Sequence, residues 1–236
     1  MMILCIIQAR MGSTRLPGKI LEKIDDEKKI IDFVVEQLKN SKKIKKIIVA
    51  IPNLNKDDVS YKYLISKNIC VFRGSPDNVL DRYYKCAKKE NYPIIVRITA
   101  DNPLIDPEIV DRVIEKFESG DFDYVANTHP RTFPYGTEVE VFSFKGLERI
   151  WNQADTDFDK EHVTPYFYNH PEKFRLGNVA QQIDESNFSW TVDYKENLEF
   201  VKEIVKKTTK RPILKNDVLE ILRKNPEILK INKNHT

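Results

Sequence analysis

The chain has 236 residues, 41% of them hydrophobic, which supplies a sizeable core and excludes a disordered polymer. Lys and Arg (39) nearly balance Asp and Glu (36), so the +3 net charge gives no electrostatic reason for binding nucleic acid. No apolar run reaches membrane-spanning length, and three scattered cysteines (Cys5, Cys70 and Cys86) exclude a disulfide framework or a zinc knuckle, reading instead as buried thiols in a reducing cytoplasm.

The first half alternates short β-branched runs with amphipathic stretches. ILCIIQA from Ile3 reads as a buried strand, since no basic region precedes it as in a signal peptide. IIDFVVEQLKN from Ile30 has helical spacing, and KIIVAI from Lys46 is the second strand. A helix from Asp57, a short strand ICVF from Ile69 and a helix from Asn78 follow. PIIVRITA from Pro93 is the fourth strand, DPEIVDRVIEKFES from Asp106 a helix, and DYVAN from Asp123 a fifth strand. Continuously apolar strands separated by helices predict an α/β fold with a doubly wound, mainly parallel sheet.

The second half changes character. TEVEVFSF from Thr137 alternates in period two after the turn-like FPYG, which predicts a hairpin or β-arm outside the main sheet, at about 128–150. A helix, the aromatic- and His-rich DKEHVTPYFYNH from Asp159, a strand FSWTVD from Phe188 and two helices divided by Pro212 complete the pattern. The Lys- and Asn-rich tail after about 226 is expected to fray. No repeat or linker divides the chain, so it reads as a single domain over 1–236.

QARMGSTRLPGKIL, Gln8 to Leu21, leaves the carboxyl end of the first strand, where open α/β sheets bind ligands. Gly12 and Gly18 permit close backbone approach, while Arg10, Arg15 and Lys19 suit a polyphosphate. Five residues separate the glycines and Ile20 follows Lys19, so this is neither a Walker A loop nor a dinucleotide fingerprint. Asp101 and Asp193 follow apolar strands and can face the same crevice, as ligands of Mg²⁺ or, alternatively, as turn and helix-cap acids. Asp106 and Asp111 read as helix N-terminal and surface acids.

The loop AR-x-GS-x-R-x-PGK resembles the nucleotide-binding signature of the cytidylyltransferases that activate acidic sugars, including the CMP-octulosonate and CMP-sialate synthetases. IIQARMGSTRLPGK, RGSPDNVLDRYY, RITADNPLIDP, GTEVEVFS, EHVTPY and WTVD are similar to the branch of spore-coat polysaccharide biosynthesis protein F, from Met1 to about Val205. The resemblance implies CTP binding by Ala9, Arg10, Gly12, Ser13, Arg15, Lys19 and Asp101. It implies that Arg73 and Ser75 hold cytosine and ribose, where a simple helix cap by Ser75 or Asp77 is the alternative. Arg10, Arg15, Lys19 and Asp101 would carry catalysis, with Mg²⁺ on Asp101 and Asp193. Glu138, Glu140, His162 and Tyr166 are candidates for the acidic-sugar side, and Arg97 needs either a structural acid or the ligand. His129, His170 and His235 lack ligand spacing.

The implied reaction is a cytidylyl transfer from CTP that releases pyrophosphate for surface glycan synthesis. A glycosyltransferase consuming a nucleotide sugar, a transferase for another base or acceptor, and a nucleotide-sensing module are the alternatives. The family also implies a cytoplasmic homodimer, paired through the arm near Tyr135 to Ser143, with no nucleic-acid or membrane partner.

Overall fold

The computed structural model describes residues 2–232. Its first half follows the sequence pattern: β1 (Ile3–Gln8), α1 (Ile30–Leu38), β2 (Lys46–Pro52), α2 (Asp58–Ser66), β3 (Val71–Gly74), α3 (Val79–Glu90), β4 (Ile94–Thr99), α4 (Pro107–Glu118) and β5 (Tyr124–Ala126). The second half contains β6 (Glu140–Ser143), α5 (Phe144–Gln153), α6 (Asp157–His162), α7 (Pro165–Asn169), β7 (Leu176–Asn178), α8 (Lys195–Lys206) and α9 (Lys215–Lys224).

The strands form one sheet in the order β3-β2-β1-β4-β6-β5-β7, and among the described residues only β6 runs against its neighbours. Period two divides β1 between two cores. Ile3, Cys5 and Ile7 pack with α1 and α4, while Leu4 and Ile6 pack with α3 and α5. Both faces are therefore covered, which explains the uninterrupted apolar runs in the sequence. Full burial of each such side chain contributes about 1.5–3 kcal/mol, so the sheet interior is the main source of stability. A third cluster, around Trp190, joins α8 and α9 to Phe33 of α1.

Four expectations need correction. The period-two segment is no outlying arm: β6 lies inside the sheet, between β4 and β5. Its outward residues are held by buried partners, as described below, and Tyr135 alone is exposed between Tyr135 and Ser143. FSWTVD forms no strand of the sheet. It is extended and bridges only Tyr135 through Ser189, with Val192 N donating to the Asp101 carbonyl at 2.8 Å. Gly136 makes that crossing possible, because at φ +99° a Cβ there would lie 2.5 Å from Trp190 Cδ1. The actual last strand, β7, pairs with β5. The tail forms a 3-10 turn at Pro226–Lys230 with Ile228 buried, and Asn232 binds Asn197; His235 lies outside the described residues. Finally, Cys70 is exposed, whereas Cys5 and Cys86 are buried. No helix among the described residues is long and apolar enough to cross a membrane.

Candidate active site

The loop after β1 is folded back on itself. Gly18, at φ +72°, turns its N–H to the Met11 carbonyl at 3.0 Å. Met11 N donates to Asp57 Oδ1 at 2.9 Å, and Asp57 is fully buried behind the loop. Ser13 Oγ accepts the Leu16 N–H at 3.3 Å. The Lys56 ammonium lies over Gly12, where an added Cβ would come within 2.9 Å of Nζ. The sequence thus presents Arg10, Arg15 and Lys19 on a preshaped rim.

Parallel pairing of β1 with β4 sets Gln8 beside Thr99, so Asp101 emerges next to this loop. The Val192–Asp101 backbone bond then brings Asp193 to the same place. Lys19 Nζ donates to Asp101 Oδ2, Asp193 Oδ1 and the Val192 carbonyl, each at 2.9 Å. Arg15 Nη2 lies 2.9 Å from Asp193 Oδ2, and its guanidinium lies 5.4 Å from the Tyr194 ring centroid. Burial pushes the Asp101 carboxyl up, but the Lys19 ammonium and hydrogen bonding from Thr99 and Lys19 together hold it below the usual carboxylate range.

Neither acid caps a helix. Asp106 caps α4 through the Glu108 and Ile109 N–H groups, as its position in the sequence predicts. Asn197 Oδ1 accepts the Asp193 and Tyr194 N–H groups at the start of α8. Asp101 Oδ1 is buried without a hydrogen-bond partner. Two carboxylates already gathered about one cation, one with an orphan oxygen, match the all-oxygen preference of a divalent ion.

A cleft of about 170 Å³ runs along this cluster, lined by Ala9, Arg10, Ser13, Arg15, Lys19, Asp101 and Asp193. Its lining also includes Val79, Arg82, Glu161 and His162. Arg73 and Ser75 are not among the residues lining it. Arg73 Nη1 pairs with Asp58 at 2.6 Å and its Nη2 donates to the Leu54 carbonyl, while Ser75 Oγ accepts the Asn78 N–H. The cap of α3 is Asn78, whose side chain accepts the Asp81 N–H. Arg82, not Arg73, lines the cleft. It is 2% exposed, and its Nε and Nη2 donate to the Ser75 and Pro76 carbonyls at 2.9 and 3.3 Å. Burial lowers its pKa. The sequence showed Arg82 only as one polar position in an amphipathic helix, so helical periodicity gave no reason to look inward.

A second cavity of about 410 Å³ adjoins the cleft, sharing Thr99, Asp101 and His162 with it, and is lined by Glu138, Glu140, Arg97 and Arg131. Glu140 is fully engaged. It pairs with Arg97, and Oε1 accepts the Tyr124 and Thr164 hydroxyls at 2.6 Å each. Burial pushes Glu140 up, but the Arg97 guanidinium and the two hydroxyls hold it below its usual range. Burial likewise opposes the Arg97 charge, and Glu140 raises its pKa in spite of it. Arg97 thus has its structural acid, with Gln8 as a second partner. Tyr166 lies outside both cavities. It stacks on His170 at 4.0 Å between ring centroids, and its hydroxyl meets Gln153 and Lys173.

The comparisons with known proteins place this geometry. A family model described as cytidylyltransferase matches residues 4–231. The chain belongs to the cytidylyltransferase family. It is 34% identical to the spore coat polysaccharide biosynthesis protein SpsF of Bacillus subtilis, over 95% of each chain. It is 28% identical to a 3-deoxy-manno-octulosonate cytidylyltransferase of Thermodesulfovibrio yellowstonii, over 80% of this chain and 72% of that one. A solved cytidylyltransferase from Leptospira borgpetersenii superposes with a TM-score of 0.92 at 34% identity, covering 97% and 96% of the two chains. Family membership decides for a nucleotidyltransferase over the glycosyltransferase reading.

Proposed function

We propose that this cytidylyltransferase transfers a cytidylyl group from CTP to the anomeric hydroxyl of an acidic sugar, releasing pyrophosphate, with Mg²⁺ as cofactor. One observation carries this reading: the Lys19 ammonium touches both Asp101 and Asp193 while Arg15 touches Asp193. A cationic rim and two convergent carboxylates are the arrangement that a metal-bound triphosphate requires.

Arg10, Arg15 and Lys19 bind the β- and γ-phosphates and offset the charge that builds on departing pyrophosphate. Asp101 and Asp193 would hold the Mg²⁺, which supplies Lewis-acid polarisation of the α-phosphate. Arg82, held by the Ser75 and Pro76 carbonyls, lines the cleft and would face the nucleoside. The acceptor would occupy the second cavity, which shares Asp101 and His162 with the cleft, with its hydroxyl directed toward the α-phosphorus. The protein forms no covalent bond; alignment and fixed charge do the chemistry.

The name of the octulosonate relative supports an acidic sugar as acceptor, and that of the spore-coat relative supports a role in polysaccharide biosynthesis. The test is pyrophosphate release from CTP with Mg²⁺, screened across a panel of keto-acid sugars. Release with at least one acid is expected. Release with none, or equal use of UTP, ATP and GTP, contradicts the reading.

A further inference from the structure

The second cavity contains two arginines in different states. Arg97, its side chain 13% exposed, commits two nitrogens, Nη1 to Glu140 and Nε to Gln8. Arg131 is only 21% exposed, yet it commits a single nitrogen: Nη1 donates to Glu138 Oε1 at 2.6 Å. Its Nε and Nη2 make no hydrogen bond within the described residues. The guanidinium lies 3.8 Å from the Tyr135 ring centroid, which orients its plane.

The backbone around Arg131 is fixed. Thr128 and Arg131 form a bridge, Asn178 Nδ2 donates to the Pro130 carbonyl, and Gln181 holds Thr132 at both its carbonyl and its hydroxyl. Glu138 does not depend on Arg131 alone, since its Oε2 accepts Asn102 Nδ2 at 3.1 Å and the Gly136 N–H at 2.9 Å. The remaining charges lining the cavity are balanced: Asp101 by Lys19, Glu140 by Arg97. Burial, with Arg131 nearby, holds His129 below its usual pKa. His162 stands at the junction with the nucleotide cleft, at the reacting end.

We infer that Arg131 is the residue that reads the acceptor's carboxylate. A planar fork with two free N–H sites, held by an aromatic face inside a charge-balanced cavity, fits a carboxylate in a way that Lys or a lone hydroxyl does not. This rests on the proposed acidic-sugar reading and assigns the residue that enforces it.

The experiment uses the full chain with CTP and Mg²⁺, and compares 3-deoxy-manno-octulosonate and N-acetylneuraminate with their C1 carboxamides. For whichever acid the wild type converts, Arg131→Met should raise KM roughly 10- to 100-fold, the loss expected for a charged hydrogen-bonding partner. The KM for CTP should stay within about twofold, and the preference for acid over amide should vanish. Arg131→Lys, which keeps the charge but not the fork, should recover only part of that preference. If the wild type prefers the acid and Arg131→Met keeps that preference, the inference is overturned while the acidic-sugar reading stands. If the wild type converts no acid, or amide and acid equally, the reading itself falls and the inference with it. Because acid and amide are compared on one protein, a variant that is merely less stable cannot imitate the lost preference.

Discussion

Two ion-pair clusters lie at the carboxyl end of this sheet, and they are built to opposite ends. Around Glu140, the guanidinium of Arg97 and the hydroxyls of Tyr124 and Thr164 saturate a buried carboxylate. Around Lys19, two carboxylates that are 24% and 27% exposed meet one ammonium on the wall of a cleft, and Asp101 keeps a buried oxygen without a partner. The closed cluster fastens β4 to β6 and to the Thr164 turn. The open one has capacity left for a ligand. An acid near a site is thus informative only once its partners are counted: Glu140 is occupied by three of them, whereas Asp101 keeps an oxygen without one.

The contrast is sharpest in stability. Glu140→Gln leaves Arg97 buried without its counter-charge and should cost about 3–5 kcal/mol in urea unfolding. Because folding depresses the Glu140 carboxyl, its contribution is complete above the unfolded value of roughly 4.3 and is lost as pH falls through the lower folded value. The variant should lack that portion of the acid limb. A loss under about 1 kcal/mol would make the closed cluster dispensable and break the comparison.

The open cluster should answer in turnover instead. Asp101→Asn should lower kcat by roughly a hundred- to a thousandfold, several kcal/mol of transition-state stabilisation, with a much smaller change in CTP affinity. Normal turnover of this variant with Mg²⁺ would remove Asp101 from the machinery. A smaller effect sharpens the picture further. Lys19 sits between the two acids that would hold a cation, so Lys19→Met should tighten Mn²⁺ binding to the nucleotide-free protein, read by electron paramagnetic resonance, by roughly tenfold. That size corresponds to about 1.4 kcal/mol of relieved competition. Unchanged or weaker Mn²⁺ binding would mean that the ammonium and the cation do not compete.

Much of this was legible in the sequence, and the exceptions share a cause. The strands and helices through β5 follow from apolar runs and helical spacing, because each buries its own face against a neighbour. The loop cations and Asp101 follow from position, since strand ends of a parallel sheet point at one crevice. Asp193 was legible as an acid after FSWTV, though that segment is placed by Trp190 and a bond to Asp101 rather than by a strand. The period-two pattern of 137–144 was read as an arm because alternation signals a half-exposed strand. Here its polar positions, Glu138 and Glu140, face protein partners instead of water: Arg131 and Asn102 for the first, Arg97, Tyr124 and Thr164 for the second. Arg82 and Arg131 escape the sequence because an arginine's burial and partners are set by neighbours that are distant along the chain.

The account stands on the loop cations and the distant aspartates acting as one unit on the same triphosphate. A double-mutant cycle on kcat/KM for CTP, read by pyrophosphate release from wild type, Lys19→Met, Asp193→Asn and the pair, measures that directly. The prediction is strong non-additivity, with the double variant losing less than the sum of the single losses by about 1 kcal/mol or more. Strictly additive losses, within about 0.3 kcal/mol, would show that the two residues act independently and would contradict the shared site.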